Sequence, residues 1–346
     1  MIDFRYHLVS IVAVFLALAI GIVLGATNLR GGTLDLLQTT NDSLKNQLTA
    51  AQAARDGYLN QSSAAEQYLQ SAEPTLLANQ LKGENLVIIT EPGAQGSVVD
   101  GVKQAATLAG ATVTGEVALQ PKFNDISGAT QSNLSSINNS VVSQNGATLP
   151  TGSNPQTTYQ QQAAQLIASA ILANSTTAVE PTDAQSILSA YAQGGYLTVS
   201  PAGAPTAPAQ LAVIVTPQSA PDDGQNDPAN QVLLAVAQEF AGVSSATLVV
   251  GSTLGSAQSG SAMSVLRSSS VSSQVSSVDD ADLTLGQITV VDALANQLAG
   301  KKPNSYGISG ASAVNPSPLP TPTTTATSTP TVTAHPSSTR KAGAKK

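Results

Sequence analysis

The chain has 346 residues and a mass of 34.8 kDa, with 14 Lys and Arg against 21 Asp and Glu, for a net charge of −7. It has no Cys, no Trp, two Met and two His, which excludes a disulfide framework, a zinc finger, an Fe–S cluster and a thiol nucleophile. Copper(I) selects thiolate and thioether donors, of which there are only Met1 and Met263, and the basic, aromatic-rich face of a nucleic-acid binder is missing.

Only 10% of the residues are charged, where about a quarter is ordinary. No Lys or Arg lies between Lys122 and Arg267, and Ser, Thr, Gln and Asn take their place. Such a surface reads as exported.

Leu8 to Leu29 is an uncharged apolar run, long enough for a hydrocarbon core that needs about 20 helical residues. Its length favours an anchor over a cleaved signal peptide, whose apolar stretch is usually ~7–15 residues. Arg5 and Arg30 flank it on either side and leave orientation open by charge alone. The exported composition places residues 1–7 inside, at the cytoplasmic face, and the body outside. Within the span Ala17, Gly21 and Gly25 recur every fourth residue, a spacing that lets two helix backbones approach in lipid.

Gly31-Gly32 is expected to break the helix, with Thr33 capping the next one. A heptad then runs through the 33–82 segment. Leu34, Asn41, Leu48, Arg55, Ser62 and Leu69 take its a positions, and Leu37, Leu44, Ala51, Tyr58, Ala65 and Ala72 its d positions. Asn41 is the kind of polar a residue that fixes register and two-strandedness. The pattern predicts a parallel homodimeric coiled-coil stalk, with Gly21, Gly25, Leu34, Leu37, Asn41, Leu44 and Leu48 as the dimerisation residues. Some 40 helical residues would hold the body roughly 60 Å from the membrane. Pro74 is expected to end this helix and open a short one to Lys82.

The globular part spans 83–306. Asn85 to Glu91 reads as a buried strand, Pro92 to Gly96 as a turn, and Ser97 as the cap of a helix to Leu108 stopped by Gly110. Ala111 to Leu119 is the next strand, so this is a β-α-β unit with parallel pairing. Residues 124–157, rich in Asn, Ser and Gly, carry no periodic signal. Helices are predicted over 158–173 and 182–193, strands over 195–200 and 211–216, and a helix from Asp227-Pro228 to Gly242. Strands over 246–251 and 275–278 and a helix over 285–299 complete a three-layer α/β fold with a mainly parallel sheet. After Tyr306 a Pro-, Thr- and Ser-rich tail with a basic end, 307–346, cannot bury a core and is expected to be disordered.

Ligands in parallel sheets gather at the carboxyl ends of strands. That edge contains Glu91 after the first strand and Asp279, Asp280 and Asp282 after the short strand at 275–278. These four are the candidate residues for a ligand or a basic partner, against a plainer use in solvating loops and capping the helix after Asp282. Asp222, Asp223 and Asp227 lack EF-hand spacing; Asp227 serves better as a cap. The loop from Glu91 to Ser97 lacks both G-x-G-x-x-G and a P-loop lysine, so its glycines read as turn geometry. Gly251-Ser-Thr-Leu-Gly255 misses the G-x-S-x-G elbow by one place. No histidine of the globular region serves it as base, since His7 borders the span and His335 lies in the tail. Glu91 and Glu116 are expected to close two strands, which would leave a carboxylate-pair hydrolase formally open. No catalytic residue, metal ligand or cofactor is assigned.

The opening MIDFRYHLVSIVAVFLALAIGIVLGA and the coil after it resemble the actinobacterial copper transport protein MctB family. So do NLVIITEPGA with GATVTGEVAL, and VSSVDDADLTLGQITVVDALANQLAGKKPNSYG. The similarity covers Met1 to about Gly307, and its middle is the least specific part. The resemblance implies copper homeostasis, proposed as efflux across the mycobacterial outer envelope. A related description, SteB, implies a single-pass partner of the membrane protein SteA in envelope assembly and division. Beside this, the residues argue against direct copper conduction: soft ligands are scarce, and one apolar span cannot line a polar pore. The expected role is therefore a membrane-anchored exoplasmic scaffold or regulator. Its expected contacts are a second copy of itself, membrane lipid and a SteA-like protein, with no nucleic acid. A hydrolytic or ligand-binding domain is the further alternative.

Overall fold

The computed structural model describes residues 4–145, 149, 154–172, 181–200, 205, 207–220 and 224–316. One helix, α1, runs from Phe4 to Leu77. Neither Gly31-Gly32 nor Pro74 interrupts it, which corrects the predicted break, the cap at Thr33 and the separate helix to Lys82. Each glycine costs only about 1 kcal/mol against Ala, too little to end a helix with strong formers on both sides. Pro74 sits in the last turn, where few hydrogen bonds remain to lose. The helix ends instead where Asn79 turns left-handed, at φ 64°, a conformation Asn adopts more readily than most residues. Its apolar part, Tyr6–Ala26, is long enough to cross a membrane.

The sheet follows. β1 (Asn85–Thr90), β2 (Thr112–Leu119), β3 (Leu197–Ser200), β4 (Leu211–Val215), β5 (Ala246–Val250), β6 (Ser276–Val278) and β7 (Ser305–Tyr306) lie in the spatial order β3-β2-β1-β4-β5-β6-β7. Every pairing is parallel except β2 with β3. Between them run α2 (Gly96–Leu108), α3 (Gly128–Asn145), α4 (Thr158–Ile171), α5 (Pro181–Gln193), α6 (Pro228–Val243), α7 (Thr253–Ser256), α8 (Ala262–Ser268) and α9 (Thr284–Leu298). The mixed, mostly parallel α/β architecture is thus as expected.

Alternation along the strands builds two cores. Val87 and Ile89 of β1 and Ala212 and Ile214 of β4 face one cluster with α3, α4, α5, α6 and α8. Leu86, Ile88, Leu211, Val213 and Val215 face another with α2, α9 and the end of α1. Both sheet faces are covered, which is why these strands read as unbroken apolar runs.

Of the helix caps expected at Ser97 and Asp227, one differs and one holds. Gln95, not Ser97, is the N-cap of α2, and it caps with backbone alone. The expected cap at Asp227 is present: its carboxylate accepts from Ala229 N at 2.8 Å, with Pro228 at the first position. Helix α3 falls in the stretch that gave no signal. Asp125 accepts from Ser127 N and the Thr130 hydroxyl near its start, and buried Asn138 is held by Tyr159 O and the Tyr191 hydroxyl.

The last turns of α1 belong to the domain. Leu77 and Leu81 are buried in the second core, and Leu69 packs against it. Glu66 accepts from the backbone N of Thr284 at 2.9 Å and from its hydroxyl, capping α9 from outside. Glu73 is buried beneath it; burial, then the Glu66 charge, raises its pKa above the ordinary range.

Candidate functional site

The carboxyl ends of β1, β4, β5 and β6 form one edge, and the chain leaves it differently at each strand. After β1, Glu91 N donates to Val215 O at 3.0 Å, tying the residue to the end of β4. Gly93 then turns left-handed (φ 88°), with Pro217 packed against it so closely that a Cβ would lie 3.3 Å from the proline. The glycine is turn geometry, as read from the sequence. After β5, Ser252 accepts from Gly255 N and caps α7. This hydroxyl, the nearest thing to a nucleophile in the sequence, is spent on local structure.

Glu91 is 4% exposed, and its Oε1 is sealed from solvent with no hydrogen-bond partner. Burial alone pushes its carboxyl up to about 8. It lines a cleft of about 370 Å³ with Pro92, Gly93, Pro217, Ser219, Ala220, Ala229 and Asn230.

Asp279 is fully buried and fully satisfied. It pairs with Arg267 Nη1 at 2.7 Å and accepts from Ile308 N at 2.8 Å and Ser309 N at 3.0 Å. Arg267 in turn donates to Ser277 Oγ, Ser309 O and Tyr306 O. The pair clamps the segment after β7 onto the sheet. Residues 307–316, expected to start the tail, are therefore fixed: Gly307 N donates to Ala313 O, and Ser312 meets Ser305. The remaining 317–346, with His335, lie outside the described residues.

Asp280 is also fully buried, and neither of its oxygens has a hydrogen-bond partner. Burial, then the charges of Asp279 and Asp282 against the pull of Arg267, raises it to about 6. Asp282 does not cap α9; it accepts from Thr253 N at 2.7 Å and the Thr253 hydroxyl, so α9 takes its cap from Glu66. Glu116 does not close its strand. It lies within β2 opposite Ile88 and pairs with Lys103 at 2.5 Å, so no carboxylate pair with Glu91 exists at the edge.

Arg267 is the residue that sequence reasoning passed over. Its signal was scarcity, as the one cation after Lys122 in a long stretch without others. Asp222 and Asp223 lie outside the described residues. Among the described residues no group of three or more His, Cys, Asp and Glu is placed to hold a metal ion. Met263 is buried in the first core and His7 is exposed on α1.

The predicted dimerisation residues lie along α1. Leu37, Leu44 and Leu48 are 66%, 59% and 60% exposed, with Asn41 exposed between them. A Cβ added at Gly21 or Gly25 would meet nothing within 4 Å. The side chain of Leu34 lies outside the described residues.

These features define a class: a parallel α/β domain, with a buried-carboxylate edge, carried on one long helix whose other end is apolar enough to span a membrane. The family described as "Copper transport outer membrane protein, MctB" matches residues 1–316. The chain is 31% identical to "Copper transporter MctB" of Mycobacterium tuberculosis over 325 residues, covering 92% of this chain and 100% of the relative. The same-named protein of Mycobacterium leprae is 30% identical, covering 91% and 99%. The chain belongs to the MctB family.

Proposed function

We propose that this protein is a membrane-anchored, homodimeric scaffold of the actinobacterial cell envelope. Its N-terminus is cytoplasmic and its α/β domain exoplasmic. The observation that supports this is the leucine seam of Leu37, Leu44 and Leu48, exposed on a helix rigidly docked to the domain. Burying those side chains against a second copy would recover about 1.5–3 kcal/mol for each fully covered leucine. Asn41 would set the register. Two domains held at one height raise the effective concentration for an envelope partner of the SteA kind. In this reading the domain binds and does not catalyse.

The chain's lack of cysteine provides a clean test in the full-length protein in native membranes. Leu44→Cys, at a d position, is expected to form a disulfide dimer under mild oxidation, and Asn46→Cys, on the outer face, is not. Equal crosslinking at both sites, or at neither, removes the dimer.

The names of the relatives favour a second reading, participation in copper homeostasis. Metal analysis of the purified full chain separates the two. One tightly held copper per chain supports direct handling; copper-free protein with altered copper tolerance on deletion supports an indirect effect through the envelope.

A further inference from the structure

We propose that the cleft beside Glu91 binds a small organic monocation, a primary ammonium on a short apolar body, whether or not the stalk dimerises. The cleft stands where the chain diverges. β1 is followed outward by β2 and β3 on one side, and β4 by β5, β6 and β7 on the other. Open α/β sheets leave a crevice at such a point, outside the carboxyl ends of the strands.

Glu91 is what makes this crevice a built site. A buried polar atom nearly always has a partner, yet Glu91 Oε1 has none. Lys103 of α2 is paired with Glu116, and Arg267 is committed to Asp279. Among the described residues nothing else charged acts on the carboxyl: burial is the cause of its shift, and no acidic or basic group of β4, α2 or α6 contributes. The chain supplies the acid and leaves its counter-charge to a ligand.

The shape of the site selects the ligand class. A hard divalent cation needs six or more oxygens, and one isolated carboxylate cannot provide them. A single carboxylate balances a single positive charge. Pro92, Pro217, Ala220 and Ala229 give apolar walls, and Ser219 a hydroxyl. The Asn230 amide donates elsewhere, to Gly224 O and Gly260 O. The volume of about 370 Å³ lies at the small end of ligand clefts, which run from roughly 300 to 1,000 Å³, and suits a compact molecule.

Binding has a defined proton balance. Unliganded, the carboxyl is neutral at pH 7, because it titrates near 8. When an alkylammonium enters with its three N–H bonds intact, the carboxyl proton passes to buffer and a carboxylate–ammonium pair remains. The pair forms at a buried carboxyl, and charge-assisted hydrogen bonds of this kind are short and strong.

Calorimetry on the full chain in detergent micelles tests this, with n-butylammonium chloride, butyramide and Cu(II) as separate probes. Two buffers of different ionisation enthalpy count the protons. Butylammonium is expected to bind one per chain and release close to one proton between pH 6 and 7. Its affinity should rise about tenfold per pH unit to pH 8 and level off above. Glu91→Gln, a neutral isostere, is expected to abolish both binding and proton release. Ala229→Phe, which fills the cleft and leaves the carboxyl in place, should abolish binding too. The proposal is overturned by butyramide binding as well as butylammonium, by Cu(II) taking the site in its place, by binding that survives Glu91→Gln, or by no butylammonium binding at millimolar concentration.

Discussion

Glu91 and Asp279 occupy equivalent places at one sheet edge, each the first residue beyond a parallel strand, and each is buried. Their environments are opposite. Asp279 has an arginine and two backbone N–H donors; Glu91 Oε1 has nothing. The same carboxyl chemistry in the same topological slot is fully paired in one strand and left without a partner in the other. What decides is whether the following chain returns to cover the strand end. After β6 it does, through β7 and residues 307–309; after β1 it turns away at Gly93.

The largest expected effect comes from breaking the satisfied member. Asp279→Ala leaves Arg267 buried without its partner and should cost about 3–5 kcal/mol. Denaturant unfolding of the full chain measures this, and limited proteolysis should cut near residues 306–309 in the variant alone. A loss under 1 kcal/mol would mean the clamp is ornamental.

Glu91→Gln should act in the other direction. Unfolded, the carboxyl titrates near 4.5; folded, near 8. Between those values the unfolded chain has released a proton that the folded chain keeps, so stability falls as pH rises to 8 and is flat above. Glutamine removes this loss. The variant is expected to gain about 3 kcal/mol over the wild type at pH 7 and almost nothing at pH 4. A pH-independent difference would contradict the burial.

Asp280 lies between the two cases, sealed like Glu91 but within reach of Arg267. Its window is lower, from 3.8 to about 6, and the stability lost as pH rises through it should be at most about 3 kcal/mol. Asp280→Asn should flatten that part of the pH–stability curve only.

The smallest effect concerns a carboxylate that reaches its partner across the molecule. Glu66→Ala removes the cap of α9 and should cost about 1 kcal/mol, read as faster amide exchange in the first turn of α9.

Much of this organisation is legible in the sequence. Both-faces-buried strands give β1, β4 and β5 away as apolar runs, and Asp227-Pro228 marks α6 directly. The carboxyl edge follows from parallel pairing. What stays hidden is held by distant partners. Helix α3 has a polar, Asn- and Ser-rich sequence and exists because Leu134, Asn138 and Val141 meet α4 and α5. The Glu66 cap joins residues 218 apart in sequence. The clamp on 307–309 depends on an arginine whose value lies in where its neighbours fold. Within the edge itself, position was readable and role was not, because Glu91 and Asp279 differ only in what later chain covers them.

The unbroken helix α1 has a consequence for how the family can vary. A residue inserted anywhere between Ala26 and Glu66 would lift the domain by about 1.5 Å and swing it about 100° around the helix axis. Height and heading are therefore one variable. Seven-residue insertions nearly preserve heading while adding about 10 Å, so lineages that lengthen the stalk should do so in steps near seven. A hinge at Gly31-Gly32 would have freed the domain's compass bearing from its altitude; a continuous helix locks them together.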